Sequence, residues 1–227
     1  MPKRTVLLLG ATGLVGSHLL KGLLADDSCG KILVLSRSPI GARFDSTRLD
    51  ARLVDFEQPA EWREQVAADQ VICALGTTIR KAGSRRAFRR VDFDYPLIVA
   101  QAARNLGCRH FLLVSAMGAN PNSRIFYNRV KGELEAALLT LEFDSLSIFR
   151  PSLLLGQRSE FRLGEAVGQV LGRWLGFAIP RAFRPVSAGT VAAAMLQIAA
   201  RNPVGHRIVT SAEISKNSAN VVALSDP

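Results

Sequence analysis

Apolar residues in this chain gather into short unbroken runs separated by amphipathic stretches. Residues 3–9 close on Val6-Leu7-Leu8-Leu9 with no polar alternation, the pattern of a strand covered on both faces. Runs at 31–36, 52–55, 70–75, 109–115 and 145–149 predict five more strands. Between them the period becomes helical. Residues 13–25 set Leu14, Leu19, Leu20, Leu23 and Leu24 on one side, and 59–68, 91–106 and 123–141 show helical patterns of their own. Strands alternating with helices predict an α/β fold built on a doubly wound parallel sheet.

Beyond Arg150-Pro151 the rhythm changes. Residues 157–186 are richer in glycine and arginine and hold an amphipathic stretch at 161–175. Residues 187–201 read as a helix and 207–210 as a late strand, whereas the tail from Ser211 lacks a clear period and is expected to pack loosely or fray. No repeat and no Pro- or Ser-rich linker cuts the chain. The expected organisation is a single domain over 1–227, with a core over 1–155 and a small C-terminal substrate lobe over 156–210.

Composition narrows the setting. The chain has 227 residues, 48% of them apolar, enough for one α/β domain with a sizeable core. Its net charge of +10 favours anionic ligands but does not choose among a phosphorylated cofactor, nucleic acid and acidic lipid. Cys29, Cys73 and Cys108 are scattered, with no CxxC pair and no Cys/His cluster at metal-ligand spacing, so a reducing cytoplasmic setting without a metal is expected. Pro2-Lys3-Arg4 and the following apolar run faintly suggest a signal peptide, but the glycines explain the same residues better. No apolar stretch reaches the roughly 18 residues needed to span a bilayer, and no membrane association is expected.

The glycines are Gly10, Gly13 and Gly16, directly after the first strand and at the opening of the first helix. In that context they mark a dinucleotide-binding Rossmann turn: Gly10 for the tight turn, Gly13 for backbone approach to a diphosphate, Gly16 for close helix packing. Thr12, Leu14 and Val15 complete the loop, whose free N–H groups favour a bound anion. An NAD site usually ends its second strand with Asp or Glu; here Ser36 and Arg37 stand there, favouring NADP(H), with NAD(H) as the second choice. Asp55 and Phe56 follow the third strand, where the adenine would lie; the Asp55 carboxylate reads equally as an adenine contact and as a loop carboxylate. Ala74, Leu75, Gly76, Thr77 and Thr78 end the fourth strand at the edge where such sheets bind ligands.

Tyr127 and Lys131 are four residues apart, on one face of a predicted helix. A free phenol is a poor acid–base group at neutral pH, and a nearby ammonium stabilises its anion. Ser115, at the end of the fifth strand, is placed to donate to a substrate oxygen. These three are the expected catalytic residues of an oxidoreductase acting on a small carbonyl compound or alcohol.

The loop at 10–16, Ser115 and the Tyr127/Lys131 pair resemble the short-chain dehydrogenase/reductase superfamily, over about residues 4–155. A closer likeness is to the small Tat-interactive-protein-like oxidoreductases. It rests on Leu75-Gly76-Thr77-Thr78-x-x-Lys81-Ala82-Gly83, Arg90-Val91-Asp92-x-Asp94-Tyr95, Val130-Lys131-Gly132-Glu133 and Arg150-Pro151. That resemblance implies NADP(H) held by the 10–16 loop, Arg37 and the Gly76 to Thr78 turn, with Arg150, Pro151 and Ser152 walling the nicotinamide pocket. One departure stands out: where many superfamily members place an asparagine to hold a proton-relay water, this chain offers Asp92.

Arg80, Lys81, Arg85, Arg86, Arg89 and Arg90 form a basic cluster with one aromatic, Phe88, which is sparse for nucleic-acid stacking. It reads as a solvated face, as a contributor to cofactor phosphates, or as a partner surface. The second functional reading is therefore an NADPH-sensing regulatory protein with little turnover. The resemblance is compatible with a monomer or a homodimer.

Overall fold

A computed structural model describes residues 3–41, 44, 46–155 and 184–222. Seven strands form one parallel sheet: β1 (Arg4–Leu9), β2 (Cys29–Ser36), β3 (Leu49–Leu53), β4 (Gln70–Cys73), β5 (His110–Val114), β6 (Ser145–Arg150) and β9 (Gly205–Thr210). Their order is β3-β2-β1-β4-β5-β6-β9. The direction of winding reverses between β1 and β4, so the ligand cleft of such a sheet opens at the carboxyl ends of those two strands. A two-stranded pair, β7 (Leu154–Leu155) and β8 (Val186–Ser187), lies apart.

Alternate residues of each strand enter two cores. Val6, Leu8, Ile32, Val34, Ile72 and Leu112 pack under α1 (Leu14–Ala25) and α6 (Ala188–Arg201). Leu7, Leu9, Leu33, Val71, Phe111 and Leu113 pack under α4 (Tyr95–Asn105) and α5 (Phe126–Leu139). Covering both faces explains the unbroken apolar runs.

Several boundaries differ from expectation for identifiable reasons. The third strand is at Leu49–Leu53 rather than 52–55, because β3 is an edge strand and tolerates the Arg52–Asp50 ion pair in place of an apolar run. Residues 59–68 form two 3-10 turns, Pro59–Glu61 and Arg63–Gln65, that bury Trp62 and Val66. The expected helix at 91–106 opens with a π turn, Arg90–Asp94. Pro96 has no N–H to return to Asp92 and its ring crowds that carbonyl, which favours the wider turn. Between them α2 (Ile79–Ala82) and α3 (Arg85–Arg89) are short helices. Helix α5 begins at Phe126 rather than 123, since the Ser123 hydroxyl accepts the Ile125 N–H at 3.1 Å and closes a turn first.

The C-terminal stretch is more ordered than its sequence suggests. β9 joins the main sheet beside β6, and α6 packs on α1, so the expected 156–210 lobe shares its last elements with the core. After β9 the chain forms α7 (Ser211–Val222). Its start is a reciprocal cap: Glu213 accepts the Thr210 N–H at 2.8 Å, and Thr210 accepts the Glu213 N–H at 3.4 Å. Ser211 and Ile214 are buried against the body of the protein. The amphipathic stretch at 161–175 falls outside the described residues.

Candidate active site

The glycine loop runs from the end of β1 to the start of α1. Gly10 has φ +80°, and a Cβ there would lie 2.5 Å from the Ala74 carbonyl oxygen; one at Gly16 would lie 1.9 Å from the Gly10 carbonyl oxygen. Only glycine lets β1, β4 and α1 meet this closely. Gly13 caps α1 without a side chain, so the first N–H groups of the helix keep no side-chain acceptor. Thr12 is exposed, Leu14 half-buried, and the Val15 side chain lies in the core, leaving its backbone for a ligand. A loop with no Cβ in the way and unclaimed donors at a helix start fits a dinucleotide diphosphate.

Around this loop lie the neighbouring strand ends. The Ser36 hydroxyl is turned locally, donating to the Ser38 carbonyl at 2.7 Å, and Arg37 is exposed. The Asp55 carboxylate accepts the Glu57 N–H at 2.9 Å, so it shapes its own turn. The Phe56 ring is 2% exposed and stacks on Tyr95 at 5.1 Å, which places the side chain in the core and leaves the expected adenine contact to its backbone. Tyr95 donates to Glu57 at 2.5 Å, and burial, then Glu57, push its phenol up to about 12. Ala74 and Leu75 are half-buried beside Gly76, which is exposed, and Thr78 caps α2 by accepting the Lys81 N–H at 3.1 Å.

Helix α5 carries two of the expected catalytic residues. Its face presents Tyr127, Lys131 and Glu135 one turn apart. The half-buried Tyr127 ring lies 5.5 Å from that of Phe88. Lys131 is buried, with Nζ 2.8 Å from Asp92 Oδ1, and the Asp92 side chain is wholly enclosed. Asp92 Oδ2 accepts the Thr77 N–H at 2.9 Å. A Cβ at Gly76 would stand 3.5 Å from Asp92 Oδ1 and 3.9 Å from Lys131 Nζ, so the loop after β4 passes directly over this pair. Burial alone would push the Lys131 ammonium down; the Asp92 carboxylate and then Tyr127 hold it above its ordinary value. Cys73 at the end of β4 is raised to about 11, chiefly by burial.

Ser115 is placed differently from expectation. It is 5% exposed, and its hydroxyl donates to Glu135 Oε1 at 2.5 Å. Arg150 Nε donates to the same oxygen at 3.1 Å, and Arg150 Nη2 pairs with Glu135 Oε2. Thus Ser115 does join α5, but its proton is directed at a buried carboxylate. Glu135 was missed in the sequence, although its place four residues after Lys131, among Leu134 and Leu138, signals a buried charge needing a partner. Pro151 is buried, and its carbonyl accepts the Met117 N–H at 2.9 Å. The Ser152 hydroxyl is occupied, donating to the Arg184 carbonyl at 2.5 Å and accepting from Ser211 at 2.9 Å.

The basic cluster is divided. Arg89 pairs with Glu133 and lies 4.2 Å from the Phe93 ring centre, Arg90 pairs with Glu57 at 3.1 Å, and Arg85 sits over Phe126. Arg80, Lys81 and Arg86 are exposed. Among the described residues no group of three or more His, Cys, Asp or Glu side chains could hold a metal ion, and no helix is long and apolar enough to cross a membrane.

Comparison with known proteins gives the family and the fold. A family described as NAD(P)H-binding matches residues 10–141. Protein HTATIP2 of Rattus norvegicus is 39% identical over 188 residues, covering 79% of this chain and 77% of that protein. Protein FMP52, mitochondrial, of Candida albicans is 35% identical over 191 residues, covering 81% and 82%. Among solved structures, a UDP-N-acetylglucosamine 4-epimerase from Methanobrevibacter ruminantium superposes with TM-score 0.70 at 16% identity, covering 92% of this chain and 77% of that one. WbmH of Bordetella bronchiseptica, in complex with NAD+, gives 0.68 at 18%, covering 99% and 84%. At such identities the structures share the fold alone. The relatives correct the cytoplasmic expectation. Fungal proteins from Candida albicans, Eremothecium gossypii and Emericella nidulans carry a mitochondrial designation, and three buried thiols do not distinguish one reducing compartment from another.

Proposed function

The chain belongs to the NAD(P)H-binding family, in its Tat-interactive-protein-like branch, and on that premise we propose that it is an NADP(H)-dependent oxidoreductase for a small carbonyl compound or alcohol. The observation that carries the reading is the Tyr127/Lys131 face of α5, with Lys131 Nζ lying beneath the Gly76 loop at the mouth of the cleft. The 10–16 loop would hold the diphosphate, and Arg37 would meet a 2′-phosphate at the end of β2. A bound nicotinamide would supply hydride exchange with the substrate carbon. Tyr127 gives its phenolic proton to the carbonyl oxygen in reduction and takes it back in oxidation. The Lys131 ammonium favours the phenolate that remains. A mitochondrial place is inferred from the names of the fungal relatives.

Two measurements test this. Titration with NADPH and separately with NADH, followed by cofactor fluorescence, should show tighter NADPH binding, and Arg37→Ala should remove most of the difference. With a carbonyl substrate found by screening, Tyr127→Phe should lower turnover by about 10²–10⁴ while sparing cofactor affinity. Absence of binding by either cofactor, or full activity in Tyr127→Phe, would overturn the assignment.

A further inference from the structure

Resting on that reading, we propose that Asp92 is a positioning residue for the cofactor. Through one carboxylate oxygen it holds the Lys131 ammonium, and through the other the Thr77 N–H, so a single side chain joins the catalytic helix to the loop over the cleft. Asp92 itself is wholly buried, and it acts through Lys131 and Thr77.

The arrangement calls for a reason beyond stability. Enclosing two opposite charges carries a large desolvation cost, and well-packed apolar residues often replace such pairs without loss. This pair sits directly under Gly76, where Lys131 can act on a cofactor as a cation only if it keeps its proton inside the protein. The groups that face Lys131 are Asp92 from the π turn, Cys73 from β4 and Tyr127 from its own helix. Burial raises the Cys73 thiol to about 11, so it remains neutral near pH 7 to 9. That leaves Asp92 as the main group offsetting desolvation of the lysine. The π turn at Arg90–Asp94, next to Pro96, puts the carboxylate in reach of α5. Asp92 is therefore an anchor for the lysine.

The test is the pH dependence of cofactor affinity. The intact chain should bind NADPH with less than about a twofold change in Kd from about pH 7 to about pH 9, since Lys131 keeps its proton throughout. Asp92→Asn keeps the shape and an acceptor for Thr77 but leaves the ammonium unpaired. Its affinity should fall about tenfold over the same range as Lys131 loses its charge. Adding Lys131→Arg to that variant should flatten the profile, because a guanidinium does not deprotonate there. Should Asp92→Asn fail to fold, Asp92→Ser is smaller, uncharged and asks the same question. A variant whose Kd shifts by one constant factor at every pH would reduce Asp92 to a structural residue and overturn the proposal. The oxidoreductase reading would survive that result. It falls instead if the intact chain binds neither NADPH nor NADH at any pH.

Discussion

The Ser115 hydroxyl donates to the Glu135 carboxylate at 2.5 Å, and that carboxylate is in turn gripped by Arg150. One glutamate on α5 thus ties together the ends of β5 and β6. The Ser115 N–H reinforces the tie by donating to the Phe149 carbonyl at 2.8 Å. The Ser115 proton thus braces the end of β5 against α5.

Ser115→Ala should therefore cost far less turnover than Tyr127→Phe. It removes one hydrogen bond to a charged group, worth about 1.5–3 kcal/mol of stability, and leaves the phenol in place. Parallel assays of the two variants with the same substrate check the order. Equal losses in both would return Ser115 to direct contact with the substrate.

Glu135→Gln should destabilise the fold by about 2 kcal/mol, less than a fully buried pair because the Arg150 side chain is 29% exposed. Urea unfolding measures it. A change within about 0.5 kcal/mol, typical of surface positions, would show that the brace is dispensable.

Gly10→Ala should lower stability by about 2 kcal/mol or more and sharply weaken cofactor binding. The new Cβ would meet the Ala74 carbonyl oxygen at 2.5 Å, a backbone atom that cannot swing away, at φ +80°. Denaturation and NADPH titration of the same preparation separate the two effects.

His110 should make the protein acid-labile. Burial is the main cause that pushes its imidazole down from 6.5 to about 4. Below pH 6.5 the unfolded chain takes up this proton while the folded one does not, so stability falls as pH drops from 6.5 towards 4. The loss should amount to about 3 kcal/mol across that window. Urea midpoints for the intact chain and His110→Gln isolate the effect: the variant should decline less steeply, and parallel curves would assign the acid sensitivity to other groups.

The thiols should be inert in the native state. Cys29, Cys73 and Cys108 are all buried, and burial is the main cause that raises Cys73 to about 11 and Cys108 to about 12. A chromogenic disulfide reagent at neutral pH should titrate them only after denaturation. Rapid reaction of the folded protein would mean that one of them is reached from solvent.

Local chemistry was legible in the chain itself. Unbroken apolar runs marked β1, β2, β4, β5 and β6, because strands covered on both faces admit no polar alternation. Gly10, Gly13 and Gly16 marked the turn, because backbone constraints act within a few residues. The four-residue step placed Tyr127 and Lys131 on one face, because helical geometry is local. The edge strand β3 begins three residues before the predicted run and ends two residues before that run does, since a half-exposed strand lacks the apolar run. Helix α7 went unseen although Thr210 and Glu213 form a local capping pair, because its polar sequence hides the period.

What each polar side chain meets belongs to the tertiary structure. The sequence put Asp92 near a relay position and Ser115 near a substrate. The fold gives Asp92 to Lys131 and Ser115 to Glu135. A buried charge must find a partner among groups brought close by strand order and helix packing, whatever their distance along the chain. Periodicity, turns and spacing were therefore settled by sequence alone, whereas the pairing that decides whether a lysine stays charged or a serine keeps its proton free arose only when the sheet brought β4, β5 and β6 together under α5.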